Sequence, residues 1–160
     1  MISPDEFRRV LGHFATGVTI VTTCDADDRA TGLTASAFSS VSLEPPLVLI
    51  CVDHKSQSYP ALRESGRFAI NILHDGHEPV SRRFATTRLD KFDELPYRLG
   101  VLGVPLIEGA LAHLECRTVS TYVEGDHTIF VGRVESASAG EGEPLLYYRG
   151  QYHHLRGDHP

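Results

Sequence analysis

Residues 32–46, Gly32-Leu33-Thr34-Ala35-Ser36-Ala37-Phe38-Ser39-Ser40-Val41-Ser42-Leu43-Glu44-Pro45-Pro46, carry mostly small and hydroxyl side chains and lead into the apolar run Leu47-Val48-Leu49-Ile50-Cys51-Val52. Small side chains let the main chain lie close to a flat ring, while hydroxyls and backbone N–H groups bond its heteroatoms or a phosphate. A buried strand would carry larger β-branched or aromatic residues, and a loose linker would not run straight into such an apolar stretch. A Ser/Thr-rich edge strand and turn has the same composition, so the segment alone leaves both readings open.

Histidine is the other group able to do chemistry. There are nine, including His74 with His77 and the tail set His153, His154 and His159, yet none forms an H-E-x-x-H or a Cys/His zinc spacing. No metal is expected. His127 follows the Gly125-Asp126 turn and precedes Thr128-Ile129-Phe130-Val131, which puts it at the mouth of a strand. Spacing does not separate a hairpin histidine from a site histidine there. The chain has no G-x-G-x-x-G, no Walker loop and no G-x-S-x-G elbow, which removes the common nucleotide and hydrolase readings.

The whole chain bounds the answer. Its 160 residues, 41% hydrophobic, suit one domain spanning 1–160 with a sizeable core. A net charge of -6 argues against a nucleic-acid partner. Cys24, Cys51 and Cys116 lie far apart without a C-x-x-C pair, which fits free thiols in a reducing cytoplasm. The run Pro45 to Val52 is too short to cross a bilayer and Met1 to Glu6 lacks a signal pattern, so no membrane association is expected.

The elements that must position these residues read as follows. Ser3-Pro4-Asp5-Glu6 has the pattern of a capping box, and Phe7, Val10, Leu11 and Phe14 follow at helical spacing, predicting a helix that packs on the core and ends near Gly17. Val18 to Thr23 reads as a strand, with a turn at Asp25 to Asp28 and a returning partner. Leu47 to Val52 and Phe68 to Leu73 read as buried strands, Tyr59 to Ser65 and His77 to Ala85 as short helices, and Lys91 to Val104 as irregular. Ala112 to Val123 and Thr128 to Ser138 make a second hairpin, and Leu145 to Tyr148 with Tyr152 to Leu155 complete a mainly β fold, a β-barrel with a few short helices.

Taken in order, Thr16-Gly17-Val18-Thr19-Ile20-Val21-Thr22, Gly32-Leu33-Thr34-Ala35-Ser36, Ser39-Ser40-Val41-Ser42, Pro45-Pro46-Leu47, Phe68-Ala69-Ile70-Asn71-Ile72-Leu73, Gly125-Asp126-His127 and Pro144-Leu145-Leu146-Tyr147-Tyr148-Arg149-Gly150 resemble the short-chain flavin reductase family, the reductase components of two-component flavin-dependent monooxygenases. The match runs from about Phe7 to Leu155. The resemblance implies a Greek-key split β-barrel that binds FAD or FMN near the interface of a homodimer. It implies a flavin cradle of Thr34, Ala35, Ser36, Ser39 and Ser40 with Cys51 and Val52, and a phosphate end over Asp53, Lys55, Ser56 and Ser58. The last three put a cation and hydroxyls just before a predicted helix N-terminus, which suits an anion, although a solvated loop looks the same. Phe84, Ala85, Lys91 and Phe92 match further flavin-side positions, Lys91 as a phosphate partner. Asp126 and His127, with Tyr152, match the nicotinamide side.

The activity implied is that of an NAD(P)H:flavin oxidoreductase. Hydride passes from nicotinamide C4 to flavin N5, so the protein has mainly to stack the rings with the reacting atoms roughly 3–3.5 Å apart. His127 is the residue expected to orient the nicotinamide, and reduced flavin then leaves for a monooxygenase partner. The alternative is a flavin-binding protein of the same fold with another redox or storage role. Neither FAD against FMN nor NADH against NADPH is decided by the sequence.

Overall fold

The computed structural model describes residues 1–155; His159 of the tail set lies outside them. The chain opens with α1 (Pro4–Leu11), capped by Ser3, whose hydroxyl accepts from the Glu6 N–H at 3.2 Å. The expected helix is present but shorter, ending before Gly12, and none of its residues is buried. Phe7 is 52% and Phe14 79% exposed, so its apolar face does not join the core as the spacing predicts. The interior is filled by strands instead, and helical spacing cannot say whether an apolar stripe meets a core or an open cleft.

The strands are β1 (Thr16–Gly17), β2 (Thr19–Cys24), β3 (Ala30–Ala35), β4 (Phe38–Leu43), β5 (Pro46–Asp53), β6 (Arg67–Ile72), β7 (Tyr97–Leu99), β8 (Pro105–Ile107), β9 (Ala112–Glu124), β10 (His127–Ala139), β11 (Leu145–Tyr148) and β12 (Gln151–His154). Helix α2 (Tyr59–Ser65) joins β5 to β6, and α3 (Glu78–Phe84) follows a single 3-10 turn at Asp75–His77. The stretch expected to be irregular contains the small hairpin β7–β8, with Tyr97 opposite Ile107. Pro96, Gly100 and Gly103 obscure it in the sequence.

Seven strands form one antiparallel sheet in the order β3-β2-β6-β9-β10-β5-β4. Its two outer strands, β3 and β4, are neighbours in the chain, separated only by Ser36 and Ala37, so the sheet must curl until its edges meet. At that closure the Cys51 N–H donates to the Ala37 carbonyl at 3.2 Å. Strands β1, β11 and β12 make a second small sheet. This is the split β-barrel with a few short helices that the sequence resemblance implies.

Side-chain alternation sorts each strand. On β5, Val48, Ile50 and Val52 point inward and pack with Val21, Phe68, Ile70 and Phe130, while Leu49 and Cys51 point outward. The long pair β9–β10 bends at two register shifts, one between Val131 and Gly132. A Cβ on Gly132 would lie 2.6 Å from the Phe68 ring and 2.8 Å from Cys116 Cβ, so the strands cross there only over a bare backbone.

Candidate flavin and nucleotide site

Beside the barrel closure lies a cleft of about 1040 Å³. Its floor is Ser36, Ala37 and Ser39, where β3 passes into β4, together with the outward Leu49 and Cys51 of β5. Asp126 and His127 close one end, because β10 pairs with β5 so that His127 stands opposite Asp53. Thr16 to Thr19 form a further wall, and Phe7, Leu11 and Phe14 overhang it. The volume matches a cofactor-sized pocket, with an apolar lining and few polar groups.

The polar groups are specific. Asp126 Oδ1 lies 2.6 Å from His127 Nδ1, which fixes the imidazole by its own neighbour and leaves Nε2 as the ring's other nitrogen. Hydrogen bonding to His127 holds the Asp126 carboxyl below the usual carboxylate range, so it is ionised at neutral pH. The turn is braced from below, since the His54 N–H donates to the Asp126 carbonyl at 3.0 Å. Thr128, buried beside it, bonds both His54 Nε2 and the Tyr59 hydroxyl at 2.9 Å. Cys51 is half-buried and burial pushes its thiol up, so it lines the floor as a neutral group. Thr16 Oγ1 is buried in the wall with no partner among the described residues. Such an orphaned hydroxyl is what a hydrogen-bonding ligand in the cleft can satisfy.

Ser36, Ser39, Cys51, Asp126 and His127 therefore meet in one cleft, whereas the remaining expected residues lie elsewhere. Ala35 and Val52 face the barrel core, and Ser40 is exposed on β4. Thr34 donates its hydroxyl to the Ser81 carbonyl at 2.6 Å. Asp53 accepts from the Lys55 N–H at 2.8 Å and its carbonyl accepts from the Ser56 N–H at 3.0 Å, which makes a tight turn before α2. Lys55 is exposed on that turn, and the buried Ser58 shares a hydrogen bond with Thr31 Oγ1 at 2.7 Å. Phe84 is buried and meets Phe92 edge-on at 5.0 Å, and Ala85 ends α3. Lys91 is buried, its ammonium given to backbone carbonyls, and burial pushes its pKa down.

Lys91 and Phe92 line a second cleft of about 530 Å³ with Thr31, Gly32 and Gln57. Strand β3 thus has its start at one cleft and its end at the other, and Ser58 joins the helix-entry turn to that start. Tyr152 lines neither cleft; its hydroxyl bonds Ser81 Oγ at 2.6 Å under the Arg82 guanidinium. The overhanging α1 residues, Thr16, Tyr147 and Arg149 line the first cleft without having been assigned a role from the sequence. The apolar stripe of α1 and the motifs that contain Thr16, Tyr147 and Arg149 are visible in the sequence, but neither carried a site role. No group of three metal-ligating side chains comes together among the described residues, and no helix there is long and apolar enough to cross a membrane.

Comparison with known proteins agrees over nearly the full length. Residues 11–156 match the model of the flavin reductase like domain. The chain is 45% identical over 154 residues to the reductase subunit HsaB of a flavin-dependent monooxygenase from Mycobacterium tuberculosis, covering 94% of this chain and 82% of that one. It is 44% identical over 159 residues to an NADH-dependent flavin reductase of a Rhodococcus species, covering 96% and 88%. The solved structure of the Streptomyces globisporus NADH:FAD oxidoreductase SgcE6 with NAD and FAD fragments superposes with a TM-score of 0.91 at 41% identity, covering 99% and 98%. With a split barrel, a cofactor-sized cleft at its closure and this degree of identity, the chain belongs to the flavin reductase like domain family.

Proposed function

We propose that this chain is an NADH-dependent flavin reductase that delivers reduced flavin, FAD in the first instance, to a partner monooxygenase. The observation that carries this reading is the meeting of the small-residue floor Ser36, Ser39 and Cys51 with the Asp126–His127 turn in one cleft. The names of the related reductases supply the cofactor and the partner class. Bound flavin supplies the ring that accepts hydride from dihydronicotinamide. The chain's own residues hold and orient. Ser36 and Ser39 on the floor would hold the flavin ring through backbone and hydroxyl groups, the orphaned Thr16 hydroxyl would add a bond, and Phe7, Leu11 and Phe14 would keep water from the bound rings. His127, aligned by Asp126, sets the nicotinamide, and the Asp53–Ser58 turn with Thr31 suits the phosphate end of a ligand that follows β3.

The same reading extends to assembly. The uncovered apolar face of α1 fits burial against a second copy, giving a homodimer, and three free thiols fit the cytoplasm. The test is NADH and NADPH consumption with added FAD or FMN, with light scattering for the assembly state. Flavin-dependent NADH oxidation by a dimer is expected. Absence of turnover with both nucleotides and both flavins overturns the reductase reading and favours a storage role.

A further inference from the structure

Arg149 stands at the tip of the β11–β12 hairpin with a φ of 50°, followed by Gly150 at 77°. Two successive residues in the left-handed region make a turn that favours Asn, Asp or Gly. A larger L side chain is disfavoured there, so the turn itself gives no reason for an arginine. Its position is fixed, since the Arg149 N–H donates to the Gly12 carbonyl at 2.8 Å, and it lines the same cleft as Ser36, Cys51 and His127.

The charge around it sharpens the point. Arg8, the other arginine of that cleft, is paired with Asp5 at 3.0 Å, and His127 Nδ1 is hydrogen-bonded to Asp126 Oδ1. Among the described residues, Arg149 has no ion pair. The chain carries a net charge of -6, so a dinucleotide approaches against the overall field and needs a local cation. A guanidinium presents two parallel N–H donors that match neighbouring phosphate oxygens.

We propose that Arg149 binds the diphosphate of the pyridine dinucleotide whose ring lies at His127, and so selects a dinucleotide for the cleft. This rests on the functional reading above. Arg149→Asn is the informative variant, because Asn adopts the left-handed conformation more readily than Arg, and a turn residue of purely structural value would lose nothing. Arg149→Lys keeps the charge and loses the fork. NAD+ binding by calorimetry in the presence of FAD reads the site without turnover. The expected result for Arg149→Asn is a ten- to hundredfold weaker Kd for NAD+ and a similar rise in KM for NADH, corresponding to the loss of about one charged hydrogen-bonded contact. Arg149→Lys falls between, the melting temperature is unchanged or higher, and KM for FAD stays within about twofold. An unchanged Kd and KM, or wild-type protein that binds no NAD+, overturns the proposal. A loss confined to FAD overturns it by giving the guanidinium to the flavin diphosphate. A lowered melting temperature with equal losses for both ligands makes Arg149 a structural turn residue and overturns it too. Wild-type protein that binds NAD+ yet turns over no flavin defeats the reductase reading alone.

Discussion

The Lys91 ammonium sits 3.2 Å from the carbonyl oxygen of Gly32, and the same nitrogen donates to the Phe84 carbonyl at 3.2 Å. Phe84 also covers Gly32, where an added Cβ would lie 2.7 Å from the Val21 carbonyl and 3.1 Å from the Phe84 ring. Lysine and phenylalanine together clamp the middle of β3, the strand that ends in the cleft floor. Lys91→Met keeps the stem and removes the charge, leaving two buried carbonyls without their donor. The expected cost is about 1–3 kcal/mol, read as a lower urea midpoint with unchanged slope. An unaltered midpoint would show that the ammonium is not needed by the strand and is free for a ligand phosphate.

His127 is held by Asp126, and the pair faces the cleft on an exposed turn rather than in the core. On the proposed function, its loss is a loss of orientation of the nicotinamide. His127→Ala is expected to lower kcat/KM for NADH ten- to hundredfold, on the order of 1–3 kcal/mol, with flavin affinity and melting temperature close to wild type. Steady-state kinetics with varied NADH at fixed FAD checks this. Unchanged kinetics removes the imidazole from the site.

Much of this was legible in the sequence, for reasons specific to each residue. The floor residues Ser36 and Ser39 are small and polar beside an apolar strand, which marks them whatever the tertiary fold. The Gly125-Asp126 turn fixes where His127 emerges. Barrel closure was less visible, because it depends on the outer strands β3 and β4 being joined by only two residues. Strand alternation places Val52 inward and Cys51 outward, a sorting that no motif conveys. The bonding of the Lys91 ammonium to two carbonyls across 59 and 7 residues is a tertiary fact with no local signature. The apolar stripe of α1 is legible in its spacing, but spacing does not convey that it borders a cleft.

Gly132 gives a test of the barrel crossing. Gly132→Ala drives a methyl into the Phe68 ring and Cys116 Cβ, and overpacking of this kind costs typically about 1–3 kcal/mol. Gly17→Ala is the control, since nothing lies within 4 Å of its added Cβ. Denaturation midpoints should separate the two variants clearly. Equal midpoints would mean that β9 and β10 slide apart at their register shift without cost.

The last prediction concerns pH. The His74 and His77 rings stack with centroids 3.8 Å apart, and His77 Nδ1 is buried without a partner. Burial first, and the neighbouring His74 second, push the His77 pKa down to about 4 from an ordinary 6.5. Between those two values the unfolded chain binds a proton that the folded chain refuses, so stability rises with pH across that window. The contribution is fully present above about pH 6.5 and is lost as the pH falls towards 4. At 1.36 kcal/mol per unit, and allowing for partial exposure, the effect is on the order of 1–3 kcal/mol. The melting temperature should therefore fall between pH 6.5 and 4, and His77→Gln should flatten that limb while the limb below pH 4, set by carboxylates such as Asp126 and Asp25, persists. The same slope in wild type and variant would assign the acid sensitivity to groups other than the stacked pair.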